Sequence, residues 1–209
     1  MAKNFISNKK ETVRMFNNDL LEKLSRVHPS IPVIIYLPLI LFFLYNSFIV
    51  YKISFSKIFV LFIFGFFIWT VTEYLLHRFI FHFEAKSEIG KKLHFIIHGV
   101  HHDYPNDPKR LVMPPSVSIP LAIIFILLFE SIIGKISVYP FYAGFVSGYL
   151  FYDMTHYAVH HFNMHSKFWL AIKNHHMRHH YLDSTKGFGV STPLWDILIG
   201  TNFKMSKQK

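Results

Sequence analysis

Fifteen histidines stand in this chain, and thirteen of them fall into four short clusters. The clusters are HRFIFH (77–82), HFIIHGVHH (94–102), HYAVHH (156–161) and HHMRHH (175–180), with His28 and His165 alone. Uncoordinated imidazoles brought this close would repel one another once protonated, whereas a divalent metal stabilises their neutral form. Metal binding is therefore the chemistry to test. On a helix, residues three or four apart share a face. His98, His101 and His102 meet that rule, as do His156 with His160 and His176 with His179 and His180. His175 is four residues from His179, so spacing alone leaves it open. His77 and His82 are five apart and point about 140° away from each other on a regular helix. From such a helix they would not chelate one metal; they would serve two metals or lie across a helix end. About ten ligands are too many for one ion, whereas two ions with roughly five nitrogens each retain an open position for chemistry.

The elements that must position these clusters are apolar. Ile31–Tyr51 and Ile58–Leu76 are nearly continuous hydrophobic runs, with Val117–Ile133 as a third and Val138–Tyr152 as a shorter fourth. The first two are each near the roughly 20 residues that cross a bilayer. No histidine lies within Ile31–Leu76 or within Asp103–Thr155. The first cluster begins where the second run ends, the third begins where the fourth run ends, and the intervening hairpin returns the chain to the same side. Topology alone therefore gathers the four clusters.

Charge sets the side. Six Lys/Arg precede Ile31, six lie in the loop from His77 to Ser116 and seven follow Asp153, against Lys52, Lys57 and Lys135 elsewhere. That asymmetry is the positive-inside pattern, which places both termini and the long loop in the cytoplasm. The expected fold is an all-α integral membrane protein with about four transmembrane helices and a cytoplasmic histidine-rich cap holding a dimetal site. Residues 1–30 form a cytoplasmic segment in which FNNDLLEKLSRV could be an amphipathic helix lying on the membrane, and residues 31–209 form one membrane-embedded domain. The first apolar run follows a charged segment without a small-residue cleavage site, so a cleaved signal peptide is not expected. A bacterial inner membrane and an endoplasmic reticulum membrane both fit, and the terminal KMSKQK is not a clear dilysine retrieval signal. Gly144, Ser147 and Gly148 in the fourth run suit close helix packing.

Several function classes are excluded on the same grounds. With no cysteine, the chain has no thiolate metal site, iron–sulfur cluster or disulfide. The net charge of +10 is explained by topology, and nothing further supports a nucleic-acid partner. Metal transport would require ionisable residues along a path at membrane depth, yet Glu73 and Glu130 are the acidic residues in or near the runs and both lie near an end. Imidazole suits zinc, copper, iron and nickel alike. A site at a membrane surface suits oxidation of a long-chain lipid, and oxidising an unactivated C–H bond with O₂ requires a redox metal. Iron is expected for activity, and zinc could occupy the site in purified protein.

Four stretches carry a resemblance: TEYLLHRFIFH (72–82), HFIIHGVHHDYPNDPKRLVMPP (94–115), GYLFYDMTHYAVHH (148–161) and HHMRHHYLDSTKGFGVSTPLWDILIGT (175–201). They resemble the fatty acid 2-hydroxylases of the membrane fatty acid hydroxylase and sterol desaturase superfamily, from about Val60 onward. The HX₄H and HX₂HH spacings mark only the superfamily; HGxHHxxPxDxxRLVxPP and the GFGVS…WD…GT tail are the specific signals. The resemblance implies a dimetal centre on His77, His82, His98, His101, His102, His156, His160, His176, His179 and His180, with His175 and His161 outside it. His94 and Asp153 are implied candidates for orienting ligand rings through the far nitrogen, and the loop around Arg110–Pro115 for shaping an acyl channel. The implied reaction is O₂-dependent, two-electron hydroxylation at C2 of a long-chain acyl lipid or fatty acid, with sterol desaturation or carotenoid hydroxylation as the alternatives within the superfamily. Many eukaryotic members carry a cytochrome b5-type domain that this sequence does not show, so the expected electron donor is a separate cytochrome b5- or ferredoxin-type protein.

Overall fold

The computed structural model describes residues 5–203, so KMSKQK lies outside the described residues. Every regular element among them is helical: α1 (Asp19–Ser25), α2 (Ser30–Tyr45), α3 (Phe55–Leu75), α4 (Glu88–His94), α5 (Val100–Asp103), α6 (Pro115–Ile133), α7 (Val138–His161), α8 (Lys167–Tyr181) and α9 (Leu194–Ile199). Three π-helical segments, Asn46–Val50, Leu76–Phe81 and Phe95–Gly99, interrupt or extend them. Local sequence sets the starts. Asn18, Ser87 and Ser166 accept bonds from the first-turn N–H groups of α1, α4 and α8, donors that a helix N-terminus otherwise leaves unmatched. Pro115 opens α6, where a missing N–H is harmless.

Among the described residues, three helical stretches are long and apolar enough to cross a membrane: Ser30–Val50, Phe55–Phe81 and Pro115–Ile133. Helix α7 is also long, at 24 residues, but its last three turns carry Asp153, His156, His160 and His161. The stretch 16–27 contains only the seven-residue helix α1, whose Leu20, Leu21 and Leu24 are exposed.

The chain divides into two compact units. One comprises residues 16–71 and 112–154. Its helices pack through aromatic rings and small residues: Trp69 meets Phe145 and Tyr149, each at 5.2 Å between centroids. Gly144 lies so near the backbone of α3 that an added Cβ would sit 1.9 Å from the Phe62 carbonyl oxygen, and one on Gly148 would fall 2.5 Å from Trp69 Cβ. The small residues of α7 thus serve packing. The Tyr36 hydroxyl donates to Ser118 at 2.7 Å, and buried Asp153 accepts from the Met113 N–H and the Tyr149 hydroxyl.

The other unit comprises residues 1–15, 72–111 and 155–209 and holds all four histidine clusters. Its described N-terminal stretch has no helix and lies along the 103–110 loop. Ile6 and Ser7 N–H groups donate to the Asp103 carbonyl, Thr12 and Val13 donate to the Asp107 carboxylate, and Arg110 donates to the Val13 carbonyl. The Asp and Arg of the HDYPNDPKRL run are therefore engaged in holding residues 5–13.

Candidate metal centre

The ten histidines form two groups of five, His77, His82, His98, His102 and His179 in one and His101, His156, His160, His176 and His180 in the other. Within each group the ligand-capable nitrogens all lie within 4.8 Å of one another. In the first group Nε2 atoms pair at 3.1 Å (His77–His98), 3.1 Å (His98–His102), 3.0 Å (His82–His179) and 3.2 Å (His102–His179). In the second the pairs are His101–His156 at 2.8 Å, His160–His176 at 3.0 Å and His176–His180 at 3.1 Å.

Pairwise hydrogen bonds do not satisfy these clusters. The Nδ1 atoms of His77 and His179 face the carbonyl oxygens of Phe188 and Lys186, which only accept, so each Nδ1 carries the proton and a neutral ring leaves Nε2 bare. A proton could bridge one pair; a cation satisfies all five nitrogens at once. The spacing fits one. Metal–nitrogen bonds of about 2.0–2.1 Å put neighbouring ligand atoms about 2.9 Å apart at a right angle and about 3.3 Å apart at the tetrahedral angle.

Electrostatics prepares the rings for that role. Burial first, then the neighbouring imidazoles, holds His98, His101, His102, His176 and His180 well below the ordinary histidine range. Burial, reinforced by His179 and His94, pushes His82 down to about 3. Burial takes His179 to about 4, against the opposing bond to the Lys186 carbonyl. All are neutral at physiological pH, the form a metal requires.

The backbone explains how His77 and His82 reach one group. Leu76–Phe81 is π-helical, and the His82 N–H donates to the His77 carbonyl at 3.2 Å. A turn closed by an i→i+5 bond returns residues five apart to the same side, so the regular-helix angle does not apply. His82 caps this segment; the pair lies across a helix end and does not divide between two groups. The HxxHH clusters do divide. His98 and His102 join the first group while His101 turns to the second, and His176 and His180 join the second while His179 turns to the first. The i,i+4 pair stays together and the i+3 residue crosses over, a correction to the expectation that each triplet acts on one face.

His175 stands in neither group. Its Nε2 lies 3.1 Å from Asp196 Oδ2. His161 and His94 are likewise outside. Asp153, expected to orient a ligand ring, bonds Met113 and Tyr149 instead. Ring orientation in the first group comes from residues that spacing did not reveal. The segment Lys186–Ser191 supplies the two carbonyls, and two buried carboxylates hold it. Glu73 accepts the Val190 and Ser191 N–H groups and the Ser191 hydroxyl. Asp196 accepts the Phe188 and Gly189 N–H groups at 2.9 and 2.7 Å, and the Thr201 hydroxyl at 2.7 Å. Burial raises the Asp196 pKa, but the bonds from His175, Thr201 and the two amides outweigh it and the net shift is downward. Gly189 has no room for a side chain, since a Cβ would meet the Thr192 carbonyl oxygen at 2.1 Å. The GFGVS…WD…GT signature is thus a carboxylate-braced loop; its acidic member in the tail and Glu73, four residues before His77, were the available signals.

Comparison with known proteins identifies the group this architecture falls in. Residues 62–201 match the family described as fatty acid hydroxylase. The chain belongs to that family. It is 37% identical over 193 residues to a dihydroceramide fatty acyl 2-hydroxylase of Arabidopsis thaliana, covering 92% of this chain and 81% of the plant protein. With the fatty acid 2-hydroxylase of Homo sapiens it shares 37% identity over 210 residues, covering 90% of this chain and 56%, little more than half, of the human protein. The solved structure of full-length scs7p, in which only the hydroxylase domain is visible, superposes with a TM-score of 0.87 at 33% identity, covering 93% of this chain and 74% of that one.

Proposed function

We propose that this family member is a membrane dimetal oxygenase that hydroxylates C2 of a long-chain fatty acyl group. The observation that carries the reading is the pair of converging imidazole pentads, whose spacing suits two ions with about five nitrogens each. In balance, the acyl chain, O₂, two electrons and two protons give the 2-hydroxyacyl product and water. Ions held there would supply O₂ activation, for which iron is suited and zinc, lacking redox chemistry, is not. The ligands are His77, His82, His98, His102 and His179 for one ion and His101, His156, His160, His176 and His180 for the other. The chain's own work is to keep those rings neutral, to fix the tautomers of His77 and His179 through the Phe188 and Lys186 carbonyls, and to present the acyl chain to them. A cytochrome b5- or ferredoxin-type donor delivers the electrons.

In this reading α7 is a fourth span beside the three apolar ones, and both termini face the cytoplasm. The distribution of Lys and Arg supports that orientation. The α1 helix, with its exposed leucines, rests on the membrane surface, and residues 31–209 act as one hydroxylase domain.

The test joins metal analysis to lipid analysis in membranes supplied with iron, O₂ and a reductase. The expected result is two metals per chain and 2-hydroxylated acyl product, both lost in His179→Ala and both kept in His28→Ala. Full activity in His179→Ala would overturn the site. Changed sterols or carotenoids without 2-hydroxyacyl lipid would move the chain to another reaction of the superfamily.

A further inference from the structure

A cleft of about 540 Å³ opens beside the first pentad, lined by Arg78, Phe79, His82, Lys91, His94 and Phe188 among others. Arg78 is its unusual member. It is half-buried at the end of an apolar span, where an arginine ordinarily extends its charge toward the membrane surface; here aromatic rings and a tyrosine hold it. Glu84 also lines the cleft, yet no carboxylate among the described residues pairs with Arg78, while Lys91 is bonded to Glu88 at 2.8 Å.

The guanidinium is nevertheless fixed in place. Its Nη1 donates to the Tyr74 hydroxyl at 2.8 Å, and the Phe79 and Phe188 rings lie 5.0 and 5.9 Å from its central carbon. Tyr74 in turn meets Thr201 at 3.0 Å, and Thr201 donates to Asp196. A directional chain therefore runs from Arg78 through Tyr74 and Thr201 to the carboxylate that braces the metal-side loop. It uses one of the five N–H donors of an arginine fork.

Hydroxylation at C2 imposes a geometric condition. C1 is one bond, about 1.5 Å, from C2, so whatever grips the C1 oxygen must share a cavity with a metal-binding ring. Arg78, which lines the same cleft as His82, meets that condition. We propose that Arg78 binds the C1 oxygen of the acyl substrate and so fixes C2 as the carbon presented to the His77 pentad. The inference rests on the hydroxylase reading above. Phe79, which lines the cleft and is 56% exposed, marks the side on which the hydrocarbon chain leaves toward lipid. The shared chemistry is an acyl oxygen, whether of a free carboxylate or of an N-acyl amide.

The test uses the full chain carrying Arg78→Gln or Arg78→Lys, with metal content, thermal stability, kinetics and product regiochemistry measured together. Arg78→Gln should retain both metals and normal stability, raise KM by about tenfold or more, as expected for loss of a charge-assisted hydrogen bond, and yield 3-hydroxy product beside 2-hydroxy. Arg78→Lys should recover much of the KM. Calorimetric binding of a long-chain fatty acid to zinc-filled protein should weaken by a similar factor in Arg78→Gln. Parallel assays with a free fatty acid and an N-acyl sphingoid base separate the sources: a loss larger for the free acid assigns the carboxylate, an equal loss the amide carbonyl. Unchanged KM and binding with exclusive 2-hydroxylation would overturn the proposal. So would a loss confined to metal content or membrane stability, which would make Arg78 an interfacial or structural anchor. If the unaltered chain makes no 2-hydroxy product, the hydroxylase reading fails, while unweakened fatty acid binding in Arg78→Gln would separately refute the role of Arg78.

Discussion

Asp196→Asn is an isosteric change that removes only charge and one acceptor edge. Asp196 is wholly buried and its carboxylate meets four groups. Oδ1 takes the Phe188 N–H and the Thr201 hydroxyl, and Oδ2 takes the Gly189 N–H and faces His175. An asparagine offers one acceptor oxygen and one NH₂, so in either orientation the N–H of Phe188 or of Gly189 points at a donor. Losing a charge-assisted bond and stranding a buried N–H should destabilise the protein by about 2–4 kcal/mol. The loop so loosened carries the carbonyls that hold His77 and His179, and loss of such outer partners weakens metal affinity about 10–100-fold. The assay is chelator competition with metal counting, alongside the thermal midpoint in detergent. Metal should leave the His77 pentad first, and stoichiometry should fall from two toward one. A lowered midpoint with unchanged affinity would refute the coupling between loop and metal; no change in either would refute the hydrogen-bond reading itself.

Two further outcomes are expected. Metal-stripped protein should lose stability as pH falls from about 6.5 to about 4: His82 and His179 titrate near 3 and near 4 in the fold but near 6.5 in the unfolded chain, which therefore binds protons first, at about 1.4 kcal/mol per pH unit for each ring. Urea titrations across that range check it, and a flat profile would contradict neutral burial of the rings. Gly144→Ala drives a methyl into the Phe62 carbonyl and should lower stability by about 1–3 kcal/mol, read as a reduced thermal midpoint; a neutral result would show that the α3–α7 approach relaxes freely.

The apolar runs and the gathering of four histidine clusters were legible because both depend on composition and chain order. The partition of the ten rings was not. Reading His77 and His82 at 100° per residue separates them, and no residue type in LHRFIF announces the π-helical turn that reunites them. The crossover of His101 and His179 depends on how helices face each other, which one-dimensional spacing cannot encode. Glu73 stood out in the sequence only as an acidic residue near a span end. Its three bonds to Val190 and Ser191 join positions more than a hundred residues apart, and neither position alone reveals the other as its partner. Asp107 and Arg110 were visible as motif residues, but their engagement with Thr12 and Val13 links them to a segment with no motif of its own.

The crossover of the HxxHH triplets has a thermodynamic consequence. The 98–102 stretch and α8 each lend rings to both pentads, so an ion held in one pocket would immobilise two of the segments from which the other pocket is built. The ordering entropy of the second site is then largely met by the first ion. Loading should be positively cooperative, with half-filled chains scarce at equilibrium, and the two ions together should act as a tertiary rivet whose removal unlocks all four histidine-bearing segments at once.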